Sequence, residues 1–167
     1  MTTLREFYLE RRRAEMPVFL SVLNSLPADR LEYKPHDRSP SAHQLLCTLT
    51  SELVSCVDAA SRYRAQWTVE TPRPLGEMVS LFEQRANELT DVVSKMDDAA
   101  WNRAAEFYYN GRKVNEQPVG QFLWYIHFDA IHHRGQLAAY LRPMGGKVPA
   151  IYGPSADSSM PARAKNS

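Results

Sequence analysis

The sequence lacks any apolar run approaching the ~20 residues that a membrane-spanning helix requires, so no membrane partner is expected. Its N-terminus, MTTLREFYLERRR, lacks the order of charged and apolar residues found in a secretory signal. Cysteine is scarce as well, because the chain has 2, Cys47 and Cys56, and both fall in one predicted helix. A helical rise of about 1.5 Å per residue separates them by about 13 Å, too far for a disulfide. We therefore expect a cytoplasmic protein with reduced thiols.

An excess of positive charge is also missing. Lys and Arg total 20, and Asp and Glu total 19, which gives a formal net charge of +1. The short basic run Arg11–Arg13 lies between Glu10 and Glu15, a pattern typical of a solvated helix face. A nucleic-acid partner is therefore not expected. A length of 167 residues with 44% hydrophobic and 23% charged residues favours one globular domain with a moderate core.

Helical periodicity fills most of the chain in four segments separated by spacers rich in Pro, Asp, Asn and Arg. The predicted helices cover residues 3–26, 39–62, 75–96 and 118–142. Pro17 should kink the first helix or move its start later. Ser39 and Pro40 suit the N-cap and first position of the second helix. The pattern predicts an all-α four-helix bundle with a long first crossover, ADRLEYKPHDRSP.

Two further segments lie around the last predicted helix. Before it, EFYYNGRKV places Asn110-Gly111 between two β-prone runs, which indicates a small hairpin packed on the bundle or an ordered loop. After it, KVPAIYGPS is apolar enough to dock on the body of the protein. We predict that residues 1–155 form a single helical bundle. Residues 156–167, small and polar, are predicted to be a disordered tail.

The last predicted helix carries an acid and an imidazole on the face that should be buried. At about 100° per residue, seven side chains share one sector of this helix. They are Phe122, Ile126, Asp129, His133, Gln136, Leu137 and Tyr140. Its apolar members mark this sector as the core face, whereas His127 lies nearly opposite and His132 lies at its edge.

A carboxylate inside a bundle must be paired, protonated or bound to a cation, since burying it alone costs several kcal/mol. Asp129 and His133 therefore permit two interpretations. They form a buried polar network, or they are metal ligands, because side chains four residues apart on a helix reach one point. On the second helix, Glu52 is the best third ligand, and Thr48 is a weak donor or holds an ordered water. His43 lies outside this polar sector, whereas Cys47 flanks it and either reaches the cavity or packs as a small apolar residue.

At HHRGQLAAYLRPMGGKVPAIYGPS, residues 132–155, the sequence resembles the DinB/YfiT-like family of helical-bundle proteins. The resemblance extends over residues 3–155 and includes the helix start RSPSAHQLL. It implies a homodimeric bundle that holds a divalent metal through three histidines. His133 matches one of them, Asp129 replaces a second, and Thr48 stands where the third would be. With Glu52, such a set of one His and two carboxylates suits zinc, nickel, manganese or iron.

The resemblance implies two alternative functions. As an enzyme, the chain would be a metal-dependent thiol S-transferase or hydrolase, in which the metal lowers the pKa of a low-molecular-weight thiol or of water. His133 is the catalytic candidate, because it would be the general base in a metal-free site. The alternative is a non-catalytic, stress-associated bundle that binds a small ligand in a degenerate, metal-free site.

The homodimer is likewise implied by the resemblance. An apolar strip of Leu123, Trp124, His127 and Ile131 lies outside the inward sector of the last predicted helix. Such a strip is consistent with a partner helix from a second copy. It is equally consistent with coverage by the first and third helices of the same chain.

Overall fold

Four long helices carry most of the chain that this computed structural model describes, residues 1–159. They are α1 (Leu4–Leu23), α2 (Ala42–Arg62), α3 (Leu75–Ser94) and α5 (Val119–Leu141), and a short α4 (Asp98–Asn102) precedes α5. A sheet contains β1 (Arg64–Gln66), β2 (Ala104–Tyr109) and β3 (Arg112–Pro118). The four long helices are confirmed, but a purely all-α class is not, because the sheet is present.

Local capping sets the start of α2. The Ser41 side chain accepts a hydrogen bond from the backbone N–H of Gln44, and the Gln44 side chain accepts one from the backbone N–H of Ser41. This reciprocal pair satisfies two backbone donors that the first turn leaves free. The predicted start at Ser39 and Pro40 is therefore wrong by two residues, since Ser41 and not Ser39 closes the box.

The start of α1 is set in the same way. Thr3 and Glu6 form a second capping box, and the helix begins at Leu4. The helix then continues through Pro17, which lies inside it. The alternative in which Pro17 moves the start of the helix is therefore wrong, because the capping box at Thr3 satisfies free backbone N–H groups of the first turn.

The hairpin predicted around Asn110-Gly111 is confirmed. Both residues have positive φ, 49° and 74°, as a two-residue turn between twisted strands requires. Strand β2 pairs antiparallel with β3 across this turn. The strand β1 was not predicted. It follows Tyr63, which ends α2 in the left-handed conformation, and it pairs parallel with β2.

The sheet packs beside α2 and α5. Ala65 of β1 and Ala105 of β2 are buried at 0% and 4% exposure. Phe107 of β2 lies against Phe122 of α5 with 5.4 Å between ring centroids. The sheet therefore forms a wall next to the face that α2 and α5 share.

The four long helices form a bundle in which α1 and α2 each contact both α3 and α5. As a result α5 is buried on two sides. His127 is only 5% exposed and meets the ring of Tyr8 edge-on, with centroids 5.8 Å apart. The prediction that His127 faces away from the core is wrong, because α1 covers that side. The same coverage buries Leu123 completely.

A buried ion pair joins α1 to α5. Arg134 is 2% exposed, and its guanidinium pairs with the carboxylate of Glu15. Tyr152 completes the group, because its hydroxyl accepts from Arg134 Nη2 at 2.6 Å and donates to Glu15 Oε2 at 2.9 Å. The predicted docking of KVPAIYGPS is confirmed by these bonds and by the packing of Val148 and Ile151 against the core.

The predicted tail, residues 156–167, lies mostly outside the described residues. Within its described part, Asp157 accepts from Arg142 Nε at 2.9 Å and from the backbone N–H of Val148 at 3.0 Å. Residues 160–167 lie outside that part. Across residues 1–159, no helix is both long enough and apolar enough to cross a bilayer.

Packing of α4 against α5 depends on Gly120. A Cβ at this position would overlap the indole of Trp101, which is 5% exposed. We expect Gly120→Ala to lower the free energy of unfolding by roughly 1–3 kcal/mol, because the ring must shift. Gly135→Ala is the matched control in α5, since its Cβ would have nothing within 4 Å and alanine favours a helix by up to about 1 kcal/mol. Urea unfolding measures both, and equal stability of the two variants would contradict the packing.

Candidate metal centre

Glu52 lies inside the bundle on the face of α2 that meets α5. The residue is 2% exposed, and neither oxygen of its carboxyl group has a hydrogen-bond partner. Burial, together with the nearby carboxylate of Asp129, raises the pKa of Glu52 to about 9. Such a group requires either a proton or a cation close to its oxygens.

His133 faces Glu52 from α5. Its Nε2 lies 3.4 Å from Glu52 Oε1 and 3.7 Å from Asp129 Oδ2. Its Nδ1 lies 2.9 Å from Gln136 Oε1, which can only accept a hydrogen bond. With the proton on Nδ1, the lone pair of Nε2 points toward the two carboxyl groups. Three acceptor groups thus converge around one point.

The spacing of these groups fits a metal ion. One donor atom from each of Glu52, Asp129 and His133 lies within 4.8 Å of the others. Two ligands that each lie about 2.1 Å from a tetrahedral zinc are separated by about 3.4 Å. The distances of 3.4 Å and 3.7 Å from His133 Nε2 are close to that value. The three residues therefore form a group that could hold a metal ion.

The exposure of the three side chains rises outward from Glu52 on α2. The Glu52 side chain is 2% exposed, that of His133 is 19% exposed and that of Asp129 is 42% exposed. Asp129 thus lies at the mouth of the site and not in the centre of the core. Solvent and small molecules can reach the group from this side.

Thr48 lines the same cleft one turn before Glu52. Its hydroxyl donates to the backbone carbonyl of Gln44 at 3.0 Å, so its proton is already used within the helix. The oxygen keeps its lone pairs, and the role of Thr48 as a weak ligand stays a prediction.

Three other residues considered from the sequence do not belong to this group, although the ring of His132 lies 5.4 Å from that of His133. His43 contacts Glu32 Oε1 at 3.2 Å and the backbone carbonyl of Arg73 at 2.9 Å. His132 is exposed on α5. Cys47 is buried, and that burial raises the pKa of its thiol.

A cleft of about 480 Å³ opens in front of the group, between α2, α5 and the sheet. The wall of the cleft beside the three ligand candidates contains Trp67, Phe107, Val114, Asn115 and Gln117 on the sheet side and Tyr125 on α5. Sequence reasoning missed this wall. The turn at Asn110-Gly111 predicted the hairpin, but nothing local indicated where the hairpin would pack.

The model of the DinB family matches residues 1–164 of the chain. The chain belongs to the DinB family. The described fold is similar to a DinB-like protein from Bacillus subtilis, with 17% identity over 84% of this chain and 93% of that chain and a TM-score of 0.67. A DinB-like protein from Bacillus cereus shares 16% identity over 87% of this chain and 95% of that one, with a TM-score of 0.72.

A third structural relative of this DinB-family chain is a mycothiol-dependent maleylpyruvate isomerase. It shares 14% identity over 89% of this chain and 65% of the isomerase chain, with a TM-score of 0.53. At 14% to 17% identity, these likenesses show the fold alone. No curated protein matches the chain.

The ligand candidates of this chain differ from the three histidines that the family resemblance implies. His133 matches that pattern, and Asp129 stands four residues before it on α5. Glu52 adds a carboxyl group from the turn after Thr48 on α2. The chemistry of the group therefore changes from three neutral imidazoles to one imidazole and two carboxylates.

Glu52 should make the stability of the metal-free protein depend on pH. Its pKa is about 9 in the folded chain, against an ordinary value of 4.5. Between these values the unfolded chain has lost the proton and the folded chain retains it, so the free energy of unfolding falls as pH rises. We expect the melting temperature in a chelating buffer to drop from about pH 5 to about pH 8.5.

Two variants separate this effect from general charge effects. Glu52→Gln cannot ionise, so it should flatten the pH profile of the melting temperature. Glu83→Gln removes an exposed carboxyl group on α3 and should leave the wild-type profile unchanged. A wild-type profile identical to that of Glu52→Gln would contradict the raised pKa.

Proposed function

We propose that this DinB-family protein binds a divalent cation through Glu52, Asp129 and His133 and acts as a metal-dependent thiol S-transferase or hydrolase. One observation carries the proposal. The buried carboxyl group of Glu52 has two unpartnered oxygens, and an imidazole nitrogen lies 3.4 Å away with its lone pair toward it. A cation at this point would satisfy all three groups at once.

A bound zinc, nickel, manganese or iron ion supplies a Lewis acid that lowers the pKa of a thiol or of water. Residues of the chain orient the ligands and accept the released proton. Gln136 fixes the ring of His133 by accepting from Nδ1 at 2.9 Å. Asp129, 42% exposed at the mouth, can accept the proton that an incoming thiol or water releases.

The thiol is supported by one structural relative. The mycothiol-dependent isomerase has the same fold at a TM-score of 0.53 and takes its name from a low-molecular-weight thiol. We propose a thiol of this class as the partner of the present chain. A cleft of about 480 Å³ is large enough for a small thiol together with a second small molecule.

The metal-free alternative is also favoured by a specific observation. Burial raises the pKa of Glu52 to about 9, so a neutral Glu52 could donate its own proton to Asp129 or His133 without any metal. The bundle would then bind a small ligand without catalysis, in the stress-associated role that the family resemblance implies. Metal titration distinguishes the two functions.

Calorimetric titration of untagged, chelator-treated protein with Zn²⁺, Mn²⁺ and Ni²⁺ tests metal binding. We expect one site per chain, with affinity lowered at least about tenfold in Asp129→Ala and in His133→Ala. His132→Ala is the matched control, because His132 is the exposed neighbour of His133 and should leave the affinity unchanged. Absence of wild-type binding to all three ions would favour the metal-free alternative, and an equal loss in His132→Ala would contradict the assignment of the ligands.

We also propose that the protein forms a homodimer through a groove on the outside of α1 and α5. This groove contains the exposed side chains of Leu4, Phe7 and Phe128. Phe128 is 62% exposed and stacks on Trp124 with 5.5 Å between centroids. Exposed apolar side chains that group together often mark an interaction surface, and a second copy could cover them.

Light scattering after size exclusion checks the dimer. We expect a mass about twice the 19.0 kDa of the chain, falling to one chain in Phe128→Lys, because a charge in the interface cannot be paired. Val69→Lys changes a residue that is 64% exposed outside the groove and should stay dimeric. A wild-type mass of one chain would contradict this interface.

A further inference from the structure

The charge of the cleft indicates what kind of molecule it takes, provided that the proposed function holds. Among the residues that line the cleft in the described part of the chain, Glu52, Asp129 and His133 are the members with ionisable acid or imidazole groups, and Lys and Arg do not occur. Two carboxylates balance the charge of a divalent cation, whereas three imidazoles would leave it at +2. The loaded cleft is therefore close to neutral, and the metal-free cleft keeps the carboxylate of Asp129 at its mouth.

Two cations of the sheet do not offset this balance, because other groups hold them. The guanidinium of Arg64 stacks on the ring of Tyr108 at 4.1 Å. Lys113 Nζ binds Glu106 at 3.3 Å and Glu116 at 2.6 Å. An anion entering the cleft would thus find no cationic side chain on the wall, and it would meet the carboxylate of Asp129 at the mouth.

The wall offers aromatic faces and neutral amides instead. Trp67, Phe107 and Tyr125 line the cleft, and the ring of Phe107 is held against Phe122 at a centroid distance of 5.4 Å. Rings of this kind bind another ring in offset or edge-on contact. The side-chain amides of Asn115 and Gln117 on β3 add hydrogen-bonding groups without charge.

From these observations we propose that the cleft selects an uncharged small molecule carrying an aromatic ring, and that it discriminates against an anion of the same shape. Neutral amides and rings give affinity, and the discrimination comes from the carboxylate of Asp129 at the mouth and from a lining without cationic side chains in the described residues. The proposed electrophile of the reaction would accordingly be an uncharged aromatic compound.

Three probes test this selectivity, and the first two are matched in shape. Methyl phenyl sulfone is neutral and aromatic, benzenesulfonate has the same shape with a negative charge, and dimethyl sulfone lacks the ring. Titrations followed by ¹H–¹⁵N NMR report binding at the Trp67 indole and at the amides of Asn115 and Gln117. We expect methyl phenyl sulfone to bind at least about tenfold more tightly than either other probe, in metal-free and in Zn²⁺-treated protein.

A charge variant provides the converse test. Asn115→Lys adds a cation to an exposed position of the wall and should raise the affinity for benzenesulfonate about tenfold while leaving methyl phenyl sulfone within twofold. Tyr109→Lys is the control, since this residue is 51% exposed on β2 and does not line the cleft. It should change neither affinity.

Each outcome decides the proposal. Equal binding of benzenesulfonate and methyl phenyl sulfone would overturn the charge selectivity, and equal binding of dimethyl sulfone would overturn the aromatic preference. Failure of methyl phenyl sulfone to shift the Trp67, Asn115 or Gln117 signals would overturn the proposal as a whole. A Zn²⁺ titration of the same sample reports the proposed metal function separately, because probe binding to metal-free protein does not depend on it.

Discussion

The fold of this DinB-family protein presents one constraint that its chemistry has to satisfy, a carboxyl group enclosed between two helices. Glu52 is 2% exposed and has no hydrogen-bond partner on either oxygen, yet it lies 3.4 Å from an imidazole nitrogen. An isolated carboxylate in such surroundings is strongly unfavourable. A proton or a metal ion resolves the conflict, and the metal ion requires Asp129 and His133 to stay where α5 holds them.

Two consecutive residues of α5 show how the scaffold holds the site. His133 faces α2 and the cleft, whereas Arg134, one step of about 100° around the helix, faces α1. Arg134 pairs with Glu15, and the hydroxyl of Tyr152 bonds to both groups at 2.6 Å and 2.9 Å. The buried ion pair between Arg134 and Glu15 fixes the rotation of α5 about its axis. It therefore also fixes the direction in which the side chain of His133 points. Stability and site geometry therefore share one helix.

Local sequence signals predicted the elements well. Periodicity gave four helices, Asn110-Gly111 gave the hairpin, and the spacing of four residues between Asp129 and His133 brought both toward Glu52. Features that depend on distant partners were missed. Strand β1 is three residues long and exists because β2 pairs with it, about forty residues away. The sequence of α5 shows one apolar sector, which predicts His127 on the outside of the bundle. In the structure, α1 buries a second side of α5 and His127 with it.

The most direct measurement of the central claim is an anomalous difference map from crystals grown with Mn²⁺. The account predicts one peak per chain between the carboxyl oxygens of Glu52 and Asp129 and Nε2 of His133, at about 2.0–2.3 Å from each. A map without a peak there, at a Mn²⁺ concentration that saturates binding in solution, would contradict it. A peak on other residues of the chain would contradict it equally.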